Sequence, residues 1–128
     1  MRKIQLDSSA KITFLAILIY IIAQIWIGFP EQVISWDAFG YYLYLPFGII
    51  HNDLTFTDLS LLNEIVDKYE NTATLYQLTN LDNGNMVIKY PVGMAILMLP
   101  FFLIAHVIAI LLGYSADGFS VPYEVLVF

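Results

Sequence analysis

Two long stretches of the chain contain no Asp, Glu, Lys or Arg, and they limit the fold more than any other feature. They are residues 12–29 and 92–112. As α-helices these stretches rise ~27 Å and ~32 Å, which matches a bilayer hydrocarbon core about 30 Å thick. Of all residues 59% are hydrophobic and only 12% are charged, too few charges to solvate a globular domain this apolar. The sequence therefore predicts an all-α integral membrane protein with two transmembrane helices.

The charges are distributed unevenly about these two stretches. Arg2, Lys3 and Lys11 precede the first one, while eight of the eleven acidic residues lie between Glu31 and Asp82. Because Lys and Arg favour the cytoplasmic side, the N-terminus is predicted to be cytoplasmic and the middle of the chain to face outward from an inner or plasma membrane. The net charge of −6 argues against nucleic acid as a partner. The absence of cysteine excludes disulfides and thiolate metal sites.

Five segments follow from this pattern. They are a cytoplasmic N-terminus (1–11), a transmembrane helix (12–29), an extracytoplasmic loop (30–91), a second transmembrane helix (92–112), and a short loop with the start of a further helix (113–128). A cleaved signal peptide is the alternative for the first apolar stretch, which is longer than the usual core of roughly 7–15 residues. The last helix begins at the end of the chain, which predicts a fragment of a longer polytopic protein.

The outer loop opens with an aromatic stretch, residues 36–46. Five aromatic residues in nine suit the headgroup level of a membrane, where a ring keeps its polar edge in water. We expect a short interfacial helix that Pro46 breaks.

Two further elements are predicted in the same loop. Residues 57–70 carry apolar side chains at helical spacing and indicate an amphipathic helix, with Thr57 as its N-cap. Residues 74–79 and 86–90 are rich in strand-forming residues, and Asn83-Gly84 between them predicts a small β-hairpin.

Two charged residues at the ends of this loop are candidates for chemistry. Asp37 follows the first apolar stretch and Lys89 precedes the second, so both are expected near the same membrane face. A carboxylate can serve as a base or bind a divalent cation, and a lysine beside a helix N-terminus can bind phosphate. The structural alternative is that Asp37 caps a helix and Lys89 anchors it at the interface. His106, inside the second apolar stretch, is expected to form an interhelical hydrogen bond or to relay protons.

The order of these features resembles the N-terminal part of membrane glycosyltransferases of the GT-C fold, relatives of dolichyl-phosphate-mannose and aminoarabinose transferases. The residues that carry the resemblance are Trp36-Asp37-Ala38-Phe39-Gly40-Tyr41-Tyr42 and Lys89-Tyr90-Pro91-Val92-Gly93. The chain departs from the family in having no Pro-Pro pair in the second motif and no second acidic residue beside Asp37.

The resemblance implies roles for three residues. Asp37 would be the catalytic carboxylate and would bind a divalent cation. Lys89 and Tyr90 would bind the phosphate of a polyprenyl-phosphate sugar donor. By their own chemistry, Tyr41 and Tyr42 are candidates for stacking on a sugar, with anchoring at the membrane interface as the alternative. The remaining spans of a longer parent chain would complete the enzyme.

Two other functions remain open from the sequence. The first is a small two-span membrane interaction protein without catalytic activity, which presents its acidic outer loop to a partner. The second is a transporter fragment, for which Pro100 and His106 inside an apolar stretch give slight support.

Overall fold

The chain folds into helices joined by one small β-hairpin. The computed structural model describes residues 7–28, 32–56 and 58–127. The described residues form five α-helices: α1 Ser8–Ile27, α2 Trp36–Tyr42, α3 Ser60–Tyr69, α4 Gly93–Leu112 and α5 Val121–Val127. A π-helix, Pro46–Ile50, follows α2, and strands β1 Leu78–Asn80 and β2 Met86–Ile88 lie between α3 and α4. The predicted helical class with one small hairpin is confirmed.

Helices α1 and α4 differ in how well they meet the requirements of a membrane span. Among the described helices, α4 is long and apolar enough to cross a membrane, by length and composition. The apolar part of α1 is the shorter segment Ser8–Ala23. Large apolar side chains along α1, such as Phe14 and Trp26, are exposed. The first predicted span, residues 12–29, is therefore not confirmed, and neither is the presence of two spans. Phe29, where the first was expected to end, lies outside the described residues.

The sequence-based prediction that Pro46 breaks the helix is wrong, since the chain continues in helical conformation through Pro46. Pro46 begins the π-helix, in which the His51 N–H donates a hydrogen bond to the Pro46 carbonyl at 3.1 Å. Proline is tolerated in a first helical turn, because the N–H that it lacks would have no intrahelical partner there. Tyr42, Leu43 and Phe47 of this stretch are buried. Much of the predicted interfacial segment therefore belongs to the protein core.

The two remaining elements of the outer loop form as predicted, with shorter bounds. Helix α3 buries Leu62 and Ile65, as an amphipathic helix should, whereas Thr57 lies outside the described residues. In the hairpin the strands are antiparallel, with Thr79 opposite Val87. Gly84 takes a φ of +87° in the turn, a conformation that glycine adopts without steric strain.

The core is built from aromatic residues where α4 packs against α2 and α5. The Tyr42 ring lies 5.9 Å from Phe102 of α4 and 5.6 Å from Phe119, and the Tyr123 ring of α5 lies 5.4 Å from Phe102. His106 Nδ1 is 2.6 Å from the Tyr123 hydroxyl. The predicted interhelical hydrogen bond of His106 is thus confirmed, and its partner is the neighbouring helix of the same chain.

The loop after α4 returns onto α2 and α3. Gly113 closes α4 at a φ of +74°, a conformation that glycine adopts readily at the end of a helix. Asp117 then accepts hydrogen bonds from Lys68 Nζ at 2.9 Å and from the Tyr69 hydroxyl at 2.7 Å. The Tyr42 hydroxyl donates to the carbonyl of Gly118. These bonds join the segments that precede and follow α4.

We predict that Gly118→Ala destabilises the fold by about 2–4 kcal/mol, from backbone strain and a steric clash. Gly118 has a φ of +98°, and a Cβ there would lie 2.6 Å from Cβ of Pro46. Denaturant unfolding in detergent micelles, followed by circular dichroism, measures the change. Gly93→Ala is the control, because its Cβ meets no atom within 4 Å. Equal stability of the two variants would contradict the proposed close packing.

Candidate functional site

Asp37 is the centre of a small polar cluster on the protein surface. It lies in the first turn of α2 with its side chain exposed. Its Oδ1 accepts a hydrogen bond from the Tyr76 hydroxyl at 2.8 Å and another from the Tyr90 hydroxyl. Tyr76 precedes β1 and Tyr90 follows β2, so the hairpin brings both phenols to the start of α2. We call these three residues the Asp37 cluster.

The two hydrogen bonds determine the protonation states within the Asp37 cluster. The bond from Tyr90, together with the bond from Tyr76, holds the pKa of Asp37 below its ordinary value of 3.8. The same bonds raise the pKa of both phenols above the ordinary value of 10.0. A hydrogen bond donated to a carboxylate stabilises its charged form. At neutral pH, therefore, Asp37 is ionised and both tyrosines keep their protons.

Tyr90 is held in position by three residues of the α2 region. A Cβ on Gly40 would lie 2.5 Å from the Tyr90 ring, so the ring can occupy this place only because residue 40 is glycine. The Tyr41 ring meets it edge-on, with 4.6 Å between the centroids. The Tyr44 hydroxyl donates to the Tyr90 carbonyl at 2.7 Å. The Tyr90 hydroxyl is therefore directed to Asp37 by packing on the ring and by a bond to the backbone.

The residue immediately before Asp37 is strained. Trp36 has a φ of +50°, which is uncommon for a bulky residue. Its N–H donates to the Asn71 carbonyl at 2.9 Å, and its carbonyl accepts from Gln77 Nε2 at 3.0 Å. The amide side chains of Asn71 and Gln77 are fully buried. Strained residues persist where the surroundings hold them and are frequent at functional sites.

Lys89 lies beside the Asp37 cluster in sequence but is not hydrogen-bonded to it. Its backbone N–H donates to the Gln77 carbonyl at 2.9 Å, which extends the hairpin pairing by one residue. Its side chain is exposed and forms no ion pair with any carboxylate of the described residues. The Lys89 ammonium is therefore accessible close to the N-terminus of α4.

The two tyrosines expected to contact a sugar or the membrane interface have different surroundings. Tyr41 is half-buried against Tyr90 and keeps part of its ring at the surface. Tyr42 is fully buried among Phe102 and Phe119. The expectation is thus corrected for Tyr42, which belongs to the core in this structure because successive residues of a helix point in different directions.

An open groove of about 450 Å³ lies beside Trp36, the residue that precedes Asp37 in the chain. The Trp36 side chain, 58% exposed, forms one wall of this groove. The other lining residues come from α3 and the turn after it: Val66, Asp67, Glu70, Thr72 and Ala73. The two carboxylates disfavour an anion, while a tryptophan face with hydrogen-bond acceptors suits a hydroxyl-bearing or cationic group.

The described residues do not form a metal site of their own around Asp37. They contain no group of three or more His, Asp or Glu side chains that could hold an ion. Asp37 is a single carboxylate whose Oδ1 already accepts two hydrogen bonds, whereas Mg²⁺ and Ca²⁺ need six or more oxygen ligands. A divalent cation at Asp37 stays a prediction of the resemblance.

Several residues of the site were missed by reasoning from the sequence. Tyr76 lies far from Asp37 in the chain and in no recognisable motif, and Asn71 and Gln77 resemble ordinary loop residues. Their role depends on how the chain between α3 and β2 folds over the start of α2. The Asn83-Gly84 hairpin signal predicted the turn but not the side chains that it would bring to Asp37.

Comparison of the chain with protein-family models, with curated proteins and with solved structures gave no match.

We predict that Tyr90→Phe raises the pKa of Asp37 toward 3.8, because a hydrogen bond that stabilises the carboxylate is lost while the ring packing is kept. Titration of the Asp37 carboxyl carbon by ¹³C NMR measures the pKa. Any stability from this bond is present above pH 3.8 and disappears as the pH falls through the lower folded pKa. Tyr114→Phe, at an exposed tyrosine, is the control. An unchanged Asp37 titration in Tyr90→Phe would show that the bond does not form in solution.

Proposed function

We propose that the chain is the N-terminal part of a GT-C-type membrane glycosyltransferase, which transfers a sugar from a polyprenyl-phosphate donor at the outer membrane face. The observation that carries the proposal is the Asp37 cluster, an ionised and exposed carboxylate beside the start of an apolar helix. The sequence resemblance assigns the catalytic carboxylate to the same residue. The family assignment itself rests on that resemblance.

In the proposed reaction, the oxygen of an acceptor hydroxyl attacks the anomeric carbon of the donor sugar. The bond between that carbon and the phosphate oxygen breaks, and the polyprenyl phosphate leaves with the bonding electrons. Asp37 accepts a hydrogen bond from the acceptor hydroxyl and takes up its proton as the new bond forms. Because the pKa of Asp37 is lowered, the carboxylate is a weak base and contributes chiefly by orienting the acceptor.

Lys89 is the proposed partner of the donor phosphate. Its side chain is exposed just before α4, whose first-turn N–H groups and helix dipole favour an anion. A lysine at this place offsets the negative charge that develops on the departing phosphate. The Tyr90 hydroxyl lies next to Lys89 in the chain and donates its proton to Asp37, so its oxygen is left to accept a hydrogen bond from a hydroxyl of the donor sugar.

The acidic groove beside Trp36 is the proposed acceptor side of the site. Its carboxylates, Asp67 and Glu70, repel a phosphate but accept hydrogen bonds from sugar hydroxyls or pair with an amine. Donor and acceptor would thus approach Asp37 from regions of opposite charge.

The proposed location is the inner or plasma membrane, with a cytoplasmic N-terminus and the described part of residues 30–91 facing outward. Helices α1 and α4 would be the membrane-embedded helices, and further spans of a multi-pass parent chain would surround the donor. The apolar surface of α4 and the exposed side chains of α1 support association with lipid. The two-span topology remains part of this proposal.

We predict that Asp37→Asn lowers sugar transfer by about 10²-fold, because the neutral amide orients the acceptor hydroxyl less well than the carboxylate and cannot take up its proton. The measurement is transfer of radiolabelled sugar from polyprenyl phosphate in membranes that contain this chain with the remaining spans of its parent. Asp82→Asn, an exposed residue in the hairpin turn, is the matched control. An unchanged rate in Asp37→Asn would remove Asp37 from the mechanism.

We also predict that the chain in lipid nanodiscs binds decaprenyl phosphate more tightly than the alcohol decaprenol. Lys89→Gln should weaken phosphate binding about tenfold, as expected for the loss of one charge-assisted hydrogen bond. Lys11→Gln, before the first apolar stretch, should leave it unchanged. Equal binding of phosphate and alcohol would contradict the proposed donor site and favour the non-catalytic membrane interaction protein.

A further inference from the structure

Glu124 of α5 is a buried carboxylate that the proposed reaction does not use. Its side chain is 8% exposed, and burial of an unpaired charge is unfavourable. No Lys or Arg of the described residues forms an ion pair with it. Instead its Oε2 accepts hydrogen bonds from the backbone N–H of Val33 at 2.6 Å and from that of Ile34 at 3.0 Å. A carboxylate of α5 therefore binds the backbone just before α2.

Every backbone N–H and carbonyl group of residues 33–36 forms a hydrogen bond. Two of the N–H groups bind Glu124. The other six groups form the bonds Ser35 N–H to Val33 C=O, Asn71 Nδ2 to Ile34 C=O, Phe39 N–H to Ser35 C=O, Trp36 N–H to Asn71 C=O, and Gln77 Nε2 to Trp36 C=O. The segment therefore cannot shift without breaking some of these bonds.

Glu124 holds one side of this segment, and buried amides hold the other. Asn71 and Gln77 are fully buried and come from the chain between α3 and β2. Trp36, at the end of the segment, has a φ of +50°, and such a strained conformation persists only while the surrounding bonds hold it. Loss of the Glu124 carboxylate leaves two backbone N–H groups without their acceptor, which favours a shift of the backbone to reach a new one.

Asp37 is sensitive to a shift of this kind because it follows Trp36 directly. Its Oδ1 is 2.8 Å from the Tyr76 hydroxyl and also accepts a hydrogen bond from Tyr90. Both phenols belong to the chain that flanks the hairpin, so a shift of Trp36 moves the carboxylate relative to them. Hydrogen bonds weaken steeply as their angles depart from linearity. The environment of Asp37 thus depends on Trp36 and, through residues 33–36, on Glu124.

The position of Glu124 is determined in turn by the packing of α5 on α4. The ring of the neighbouring Tyr123 lies 5.4 Å from that of Phe102, and its hydroxyl is 2.6 Å from Nδ1 of His106. Both of these partners belong to α4. A continuous set of contacts therefore runs from α4 through α5 and Glu124 to the backbone before Asp37.

We infer that Glu124 is a positioning residue for Asp37: its carboxylate, held by α5, fixes residues 33–36 so that Asp37 meets Tyr76 and Tyr90. Glu124 takes no part in the bond-making steps of the proposed reaction. Its effect on catalysis rests on the proposed function and deepens it, since orientation of the acceptor is the chief contribution of Asp37 there. A residue that only stabilised the fold would leave the environment of Asp37 unchanged in the folded state.

NMR spectra of Glu124→Gln in detergent micelles test this link. The variant keeps the size of the side chain but replaces the carboxylate by a neutral amide, which accepts weaker hydrogen bonds. We expect the amide proton signals of Val33 and Ile34 to move upfield. We also expect the pKa of Asp37, measured from the ¹³C signal of its carboxyl group, to rise toward 3.8. Glu64→Gln, at an exposed position of α3, is the matched control and should change neither.

The sign of the change distinguishes positioning from a direct effect of charge. Removal of a negative charge would by itself lower the pKa of Asp37, because a nearby like charge disfavours the ionised form. A rise in that pKa therefore reports the loss of hydrogen bonds to Asp37. A fall, or an unchanged value, in a folded Glu124→Gln variant would overturn the inference.

A core variant separates positioning from a general loss of stability. Phe56→Leu removes packing against Phe47, whose ring centroid lies 4.9 Å away, and Phe56 forms none of the bonds of residues 33–36. It should lower the free energy of unfolding and leave the titration of Asp37 unchanged. If Glu124→Gln does not fold, Glu124→Asp, which withdraws the same carboxylate by one methylene group, carries the same expectation and the same contrary result.

Sugar transfer gives an independent measurement, in membranes that contain this chain with the remaining spans of its parent. Glu124→Gln should lower kcat about tenfold, because the carboxylate of Asp37 is less well oriented. The KM for the polyprenyl-phosphate donor should stay unchanged, since Lys89, the proposed donor contact, forms no bond to residues 33–36. A raised KM with an unchanged kcat would overturn the positioning role.

The two proposals fail on different results. An unchanged Asp37 titration in the Glu124 variants overturns the positioning role and leaves the proposed transferase function standing. An unchanged transfer rate in Asp37→Asn contradicts the transferase function, whereas the dependence of the Asp37 titration on Glu124 would still be measured by NMR.

Discussion

The return of the loop after α4 onto α2 and α3 is the contact on which the rest of the structure depends. The Tyr42 hydroxyl bonds to the carbonyl of Gly118, and the missing side chain of Gly118 lets the backbone approach Pro46. The ion pair of Lys68 with Asp117 closes the same contact from α3. These bonds hold the loop after α4 against α2 and α3, beside the aromatic core. The position of α2, and of Asp37 on it, therefore depends on them.

The candidate site shows how an exposed carboxylate acquires a defined environment without burial. Asp37 is ordered by phenols from two other segments, and their hydrogen bonds lower its pKa. The same hydrogen bonds make Asp37 a weaker base, because a carboxylate that they stabilise binds a proton less tightly. Orientation of a substrate hydroxyl is therefore the contribution that this geometry favours. The strained backbone of Trp36 immediately before it is held by the buried side-chain amide of Gln77 and by the backbone carbonyl of Asn71.

The parts of the fold that could be predicted were those determined by neighbours in the sequence. The apolar spacing of α3, the Asn83-Gly84 turn and the closing Gly113 each act within a few residues. Pro46 was misjudged because proline both breaks helices and begins them, and the sequence alone does not decide between these roles. Tyr76 could not be found as a partner of Asp37, since the contact depends on the path of the chain over some forty residues.

The sequence by itself determined that the chain is helical and apolar, with charged residues gathered between two uncharged stretches, because hydropathy and helix propensity are local properties. It also marked Asp37 and Lys89 as unusual. Only the tertiary structure decided which face of α4 is covered, which phenols meet Asp37, and that Asp117 pairs with Lys68. These contacts join residues distant in the chain, and their formation depends on close packing of the aromatic core, which no local pattern specifies.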